Sequence, residues 1–198
     1  MGRPRKITDE ALLAACGRVI GEHGPGFTLA QVAADAGVAV GTVSGRFGSK
    51  QGLLVAMVDF ANAGAADRML AAAGAHPDPI AAITAAALVT AEGVDDRATT
   101  TNHLAQLGVD LADPTLRAGV AQLRGVIHRV LTDLFAAAAL PGAPPPAHAA
   151  RIIAAMTHGA ILDWALHPTG LLADQLREDI EAVAGPWRVA TAHQPRTA

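Results

Sequence analysis

"GVAVGTVSGRFGSK", residues 37–50, decides how this chain is read. Taken as a helix from Ala39, the stretch contains two glycines, Gly41 and Gly45, and each costs roughly 1 kcal/mol against alanine. Its apolar residues form only a thin stripe, Val40, Val43 and Phe47, while Thr42, Arg46 and Ser49 point the other way. Stronger helix formers are abundant elsewhere in this alanine-rich chain. Small, polar and basic residues therefore need a reason other than helix stability.

The preceding residues supply one. Thr28 is placed to cap a short helix that ends at Gly37, so residues 28–47 form two helices joined by a tight turn. A small residue at Ala33 lets the helices cross closely, Gly37 can take the left-handed turn conformation, and Val43 packs into the crossing. Val32, Ala36 and Val38 complete a small core. The outward face of the second helix is then Gly41, Thr42, Gly45 and Arg46, with Ser44 on its flank. This spacing predicts a helix-turn-helix whose second helix enters a DNA major groove. Thr42 and Ser44 can reach bases or phosphates, and Arg46 can meet guanine or a phosphate. Lys50 adds a cation where a helix N-terminus already favours an anion, and Arg3, Arg5 and Lys6 form a short basic arm.

Charge follows the same division. Residues 1–50 hold six basic and four acidic side chains, whereas residues 51–198 hold nine basic and fourteen acidic ones. The anionic partner thus belongs to the front end. A hydrophobic content of 51% excludes a disordered chain. The single cysteine, Cys16, lies on an apolar helical stripe as a core residue and points to a reducing compartment. No apolar run is long enough for a membrane span, and the N-terminus has no apolar stretch of the signal-peptide kind, so the expectation is a cytoplasmic protein with no membrane partner.

Helical periodicity extends nearly throughout, and the expected fold is all-α with about nine helices. Thr8 caps the first, Ser49 the fourth, and Asp78-Pro79 and Asp113-Pro114 each pair an N-cap with proline at the first helical position. "EGVDDRATT" is a loop and restart, "LPGAPPP" (140–146) a stiff connection, "HPTG" separates the last two helices, and Pro186 ends or kinks the final one. The expected domains are residues 1–50, a helix-turn-helix DNA-binding domain, and 51–198, a larger helical domain.

The string "GFTLAQVAADAGVAVGTVSGRFGSKQGLL" resembles the DNA-binding domain of TetR-family transcriptional regulators. The resemblance covers residues 7–60 in detail and continues in layout through "HG" (158–159), Trp164, "HPTG" and "LREDIEAVAGPW". It departs at Ser44, where the family usually carries an aromatic, and at Arg46, where Tyr or His is usual. The DNA-binding set is Thr28, Gly41, Thr42, Ser44, Gly45, Arg46 and Lys50, with Arg3, Arg5 and Lys6.

The resemblance implies a homodimer, formed through the last two helices, and a palindromic double-stranded DNA operator. It also implies a small-molecule effector whose binding releases DNA. Ile152, Met156, Ile161, Trp164, Leu176, Ile180, Val183 and Trp187 are the interface residues this implies. His103, Gln106, Asp110, Arg124 and His128 lie on the helices where the family keeps its ligand. Eight histidines show no structural-zinc spacing, and no metal or other cofactor is expected. No nucleophile–base pair, phosphate-cradling loop or paired acids support an enzyme. The expected function is a ligand-responsive dimeric repressor; the alternative is a helical interaction module that has lost sequence-specific DNA binding.

Overall fold

The computed structural model describes residues 7–94 and 96–189. Among them are nine α-helices and no strand: α1 (Asp9–His23), α2 (Leu29–Asp35), α3 (Val40–Phe47), α4 (Lys50–Gly74), α5 (Pro79–Leu88), α6 (Arg97–Ala112), α7 (Pro114–Ala138), α8 (Pro146–Leu166) and α9 (Leu172–Ala184). Short 3-10 turns cover Gly24–Gly26, Val89–Ala91 and Gly185–Arg188. The all-α expectation holds. Among the described residues no helix is long and apolar enough to cross a membrane.

The helix starts follow local rules. Thr8 Oγ1 accepts from the Ala11 amide, and Thr28 and Gln31 form a reciprocal capping box. Ser49 Oγ accepts from the Gly52 amide, Asp78 from Ala81, Asp96 from Thr99, and Asp113 from Thr115 and Leu116. Each cap satisfies amide groups that have no partner inside their own helix.

Contacts divide the chain into two units, one of residues 1–63 and 96–123, the other of residues 64–95 and 124–198. This partition differs from a cut at residue 50, because α6 and the start of α7 join the first unit. Leu12, Cys16, Ile20, Phe27, Val32, Val43 and Leu53 form the core of the first unit and are almost wholly buried. Burial pushes the Cys16 thiol up to about 12, as suits a core residue. Helix α6 is held to α1 by polar as well as apolar contact. Asn102 Nδ2 donates to the Gly21 carbonyl at 2.7 Å, and a Cβ on Gly21 would fall 2.9 Å from the Thr99 side chain and 3.5 Å from that of His103.

The second unit contains the rest of α4 and α7 together with α5, α8 and α9. Its buried side chains include Ile80, Ile83, Leu131, Phe135, Ile153, Leu172, Leu176 and Ile180. Trp187 packs edge-on against Phe135, ring centroids 5.7 Å apart, and its carbonyl accepts from the Gly142 amide. The stiff 140–146 connection is pinned there. A Cβ on Gly142 would fall 2.2 Å from the Val189 carbonyl oxygen, so the approach depends on glycine.

Candidate nucleic-acid interface

Helices α2 and α3 form the expected hairpin. Gly37 turns the chain at φ +68°, a conformation that favours glycine. Val32, Ala33 and Val43 are buried in the crossing. Arg18 of α1 forms a two-pronged pair with Asp35 at the end of α2, tying the hairpin to α1. The chain leaves α3 through Gly48, at φ +75°, and α4 starts so close that a Cβ on Gly52 would sit 2.1 Å from the Phe47 carbonyl oxygen.

The solvent face of α3 is small and open. Gly41 and Gly45 are exposed, and a Cβ at either would meet nothing within 4 Å, so the fold of the chain requires neither glycine. Val40 is 46% exposed at the first turn, and Thr42 is half-buried beside it. Ala39 provides no side-chain cap, which leaves the first amides of α3 without a side-chain acceptor.

The polar candidates on this surface are partly occupied within the chain. Ser44 Oγ donates to the Val40 carbonyl of its own helix at 3.2 Å. Arg46 Nη1 donates to Asp9 Oδ1 at 2.7 Å and to the Ile7 carbonyl at 2.9 Å, clamping the end of α3 to the start of α1. Lys50 Nζ donates to the carbonyls of Pro25 and Phe27 at 2.6 and 2.7 Å. The ammonium thus serves a turn of the same chain. Thr28 is engaged in its capping box. Arg3, Arg5 and Lys6 lie outside the described residues. Sequence spacing located the helix but not the partners of Arg46 and Lys50, because those bonds join segments 23 to 39 residues apart.

The expected effector residues have several different settings. In the first unit, Gln106 and Asp110 are buried neighbours on α6, with Gln106 Nε2 donating to Asp110 Oδ1 at 2.7 Å. Among the described residues Gln106 Oε1 has no partner, and burial raises the Asp110 carboxyl above its ordinary range. Burial lowers His103. In the second unit, Arg124 Nη1 lies 3.0 Å from His158 Nδ1, and His128 Nε2 is buried with no hydrogen-bond partner among the described residues. The second unit also holds a cavity of about 830 Å³, lined by Ala81, Ala85, Leu88, Val89, Trp164 and Leu172, with Asp78, Glu92 and Arg177 among its polar residues. None of the five expected residues lines it. Sequence reasoning missed this cavity because its walls are mostly small apolar residues with no motif.

The expected interface residues also divide. Leu176 and Ile180 are wholly buried inside the second unit, and Ile161 and Trp164 nearly so, which leaves them little surface to offer a partner. The indole of Trp164 donates to the Gly170 carbonyl. Trp187 is taken up by Phe135. Ile152, Met156 and Val183 remain half-buried. The open surface of α8 contains Leu162 and Leu166, both about half exposed, beside a groove between α8 and α9 lined by Met156, Gly159, Asp163, Gln175, Asp179 and Val183.

An all-helical chain with this hairpin and an exposed second helix has helix-turn-helix architecture. Residues 12–57 match the family described as bacterial regulatory proteins, tetR family. The chain is similar in fold to a TetR-family transcriptional regulator from Streptomyces coelicolor, at 23% identity and a TM-score of 0.68, covering 94% of this chain and 92% of that one. A second TetR-family member, from Streptomyces coelicolor A3, is 25% identical over 91% of this chain and 98% of that one, with a TM-score of 0.60. SmeT, the repressor of the multidrug efflux pump SmeDEF of Stenotrophomonas maltophilia, is 19% identical over 96% and 95% of the two chains, with a TM-score of 0.62. No curated protein matches the chain. The tetR-family match is confined to residues 12–57, and over the rest of the chain the likeness to these structures is one of fold.

Proposed function

We propose that this protein is a dimeric, ligand-responsive transcriptional repressor that α3 docks onto a palindromic operator. The observation that carries the reading is the bare surface of α3: Gly41 and Gly45 lower helix stability yet fill no contact among the described residues. That combination supports close approach by an outside backbone, and Thr42 and the uncapped first turn supply polar groups there. One short helix reads few bases. A two-fold pair with half-sites about one helical turn apart, ~34–36 Å, reads a palindrome.

The dimer uses the open side of α8 and α9, with Leu162, Leu166, Met156 and Val183 as its apolar part. The effector enters the cavity of the second unit, whose ~830 Å³ is of the size of small-molecule sites. SmeT is a repressor of an efflux pump, and release by a small molecule needs only differential affinity for a form whose reading heads are wrongly spaced.

A second reading has its own support. Arg46 and Lys50 are both bonded inside the chain, and Ser44 stands where an aromatic is usual. These features suit a helical interaction module without sequence-specific DNA binding. A gel-shift assay with DNA flanking the protein's own gene decides between them. Retardation that weakens steeply as salt rises is the expected result; no retardation at low salt overturns the repressor reading.

A further inference from the structure

Four basic side chains of the second unit act on one another across α7 and α8: Arg124 and His128 on α7, Arg151 and His158 on α8, with Arg124 touching His158 and the charges of Arg124 and Arg151 both felt at His128. Arg124 Nη1 lies 3.0 Å from His158 Nδ1. A guanidinium can only donate, so Nδ1 of His158 accepts and the ring carries its proton on Nε2. His158 is therefore neutral in this pair. Among the described residues, neither Arg124 nor Arg151 forms an ion pair with a carboxylate. His128 Nε2 is shut away from solvent without a hydrogen-bond partner.

This arrangement is costly as it stands. Like charges are gathered with no counter-charge, next to a buried nitrogen whose hydrogen bond is unmade. Burial first, and then the charges of Arg124 and Arg151, hold His128 below the usual histidine range; burial and Arg124 do the same to His158. The charges acting on these rings are thus guanidinium groups, Arg124 on both and Arg151 on His128, and no carboxylate acts on either ring among the described residues. A bound oxyanion would remove each part of the cost. The planar forks of Arg124 and Arg151 match phosphate or carboxylate oxygens, and the histidines could then take up protons.

We propose that Arg124, Arg151, His128 and His158 form a receptor for a small oxyanion, the phosphate or carboxylate group of a soluble metabolite. The site is separate from the cavity, which none of the four residues lines. It also stands independently of DNA binding, so a failed gel shift leaves it intact.

The test is a pH titration of the histidine ring resonances of the full-length protein by NMR. Inorganic phosphate and acetate are each compared with chloride at equal ionic strength. Phosphate or acetate should raise the midpoints of His128 and His158 by about one pH unit, a tenfold gain in proton affinity. Exposed His76 and His167 serve as controls and should not move. R151Q, at an exposed position, should weaken the response about tenfold, and R124Q/R151Q should abolish it with helix content unchanged. Midpoints that ignore both anions, that move no more than the controls, or that respond equally in the double variant overturn the proposal. Midpoints already raised in chloride that fall on dilution assign the cluster to carboxylates of a second copy, which also overturns it.

Discussion

Lys50 Nζ lies 2.7 Å from the Phe27 carbonyl oxygen and 4.1 Å from the centroid of the Phe27 ring, with the Pro25 carbonyl on its other side. One side chain at the start of α4 thus closes the turn that launches α2. Lys50→Ala should leave two carbonyls without this donor and destabilise the protein by about 1–3 kcal/mol. Urea unfolding followed by circular dichroism measures this, and an unchanged midpoint would show that the ammonium does not hold the turn.

Gly41 and Gly45 should separate stability from binding. Open space beside both means that Gly41→Ala and Gly45→Ala fit without displacement and stabilise α3 by up to roughly 1 kcal/mol each. The same methyl groups should obstruct a DNA backbone and weaken operator retardation. Gly52→Ala is the contrast: its methyl group would strike the Phe47 carbonyl, so it should lower the melting temperature. If the first two variants are less stable than the parent, the account of α3 is wrong.

On α8 and α9, depth distinguishes core from partner surface. Ile180→Asp puts a charge in a wholly buried position and should unfold the second unit rather than yield folded monomers. Leu162→Asp, at a position 49% exposed, should keep the melting temperature within a few degrees while shifting sedimentation from dimer to monomer. A folded monomer of the Ile180 variant would refute this assignment.

Asp110 should make stability depend on pH. Its carboxyl is raised in the folded protein, chiefly by burial, so the native state holds its proton more tightly than the unfolded chain does. Stability from this group is full below the unfolded carboxyl range and is lost as pH rises through the raised folded value. Asp110→Asn keeps an acceptor for Gln106 Nε2 and should be more stable than the parent at neutral pH. The gain should vanish in acid. Equal melting temperatures at pH 7 would contradict the direction.

Arg46 joins α3 to α1 through Asp9 and the Ile7 carbonyl. Arg46→Ala should weaken operator binding by roughly 1–3 kcal/mol if DNA recruits the guanidinium for a base. Asp9→Asn frees Arg46 without removing it, and tighter binding by that variant is the expected companion result. Equal affinity of both variants and the parent would leave Arg46 with the clamp alone.

The caps at Thr8, Thr28, Ser49, Asp78 and Asp113 were legible in the sequence because each bond spans three residues or fewer. So was the crossing of α2 and α3, whose Ala33, Gly37 and Val43 lie within eleven positions. The chain alone therefore determined an all-helical fold and the α2–α3 hairpin. Tertiary structure decided which helix faces were already taken. Leu176 and Ile180 make an apolar stripe that would suit a partner or a core equally, and only packing within the second unit buries them. Arg46 and Lys50 are cations with several possible acceptors, and carbonyls and a carboxylate 23 to 39 residues away claim them. Short-range hydrogen bonds depend on neighbouring residues, whereas burial and charge pairing depend on which distant surfaces the fold brings together.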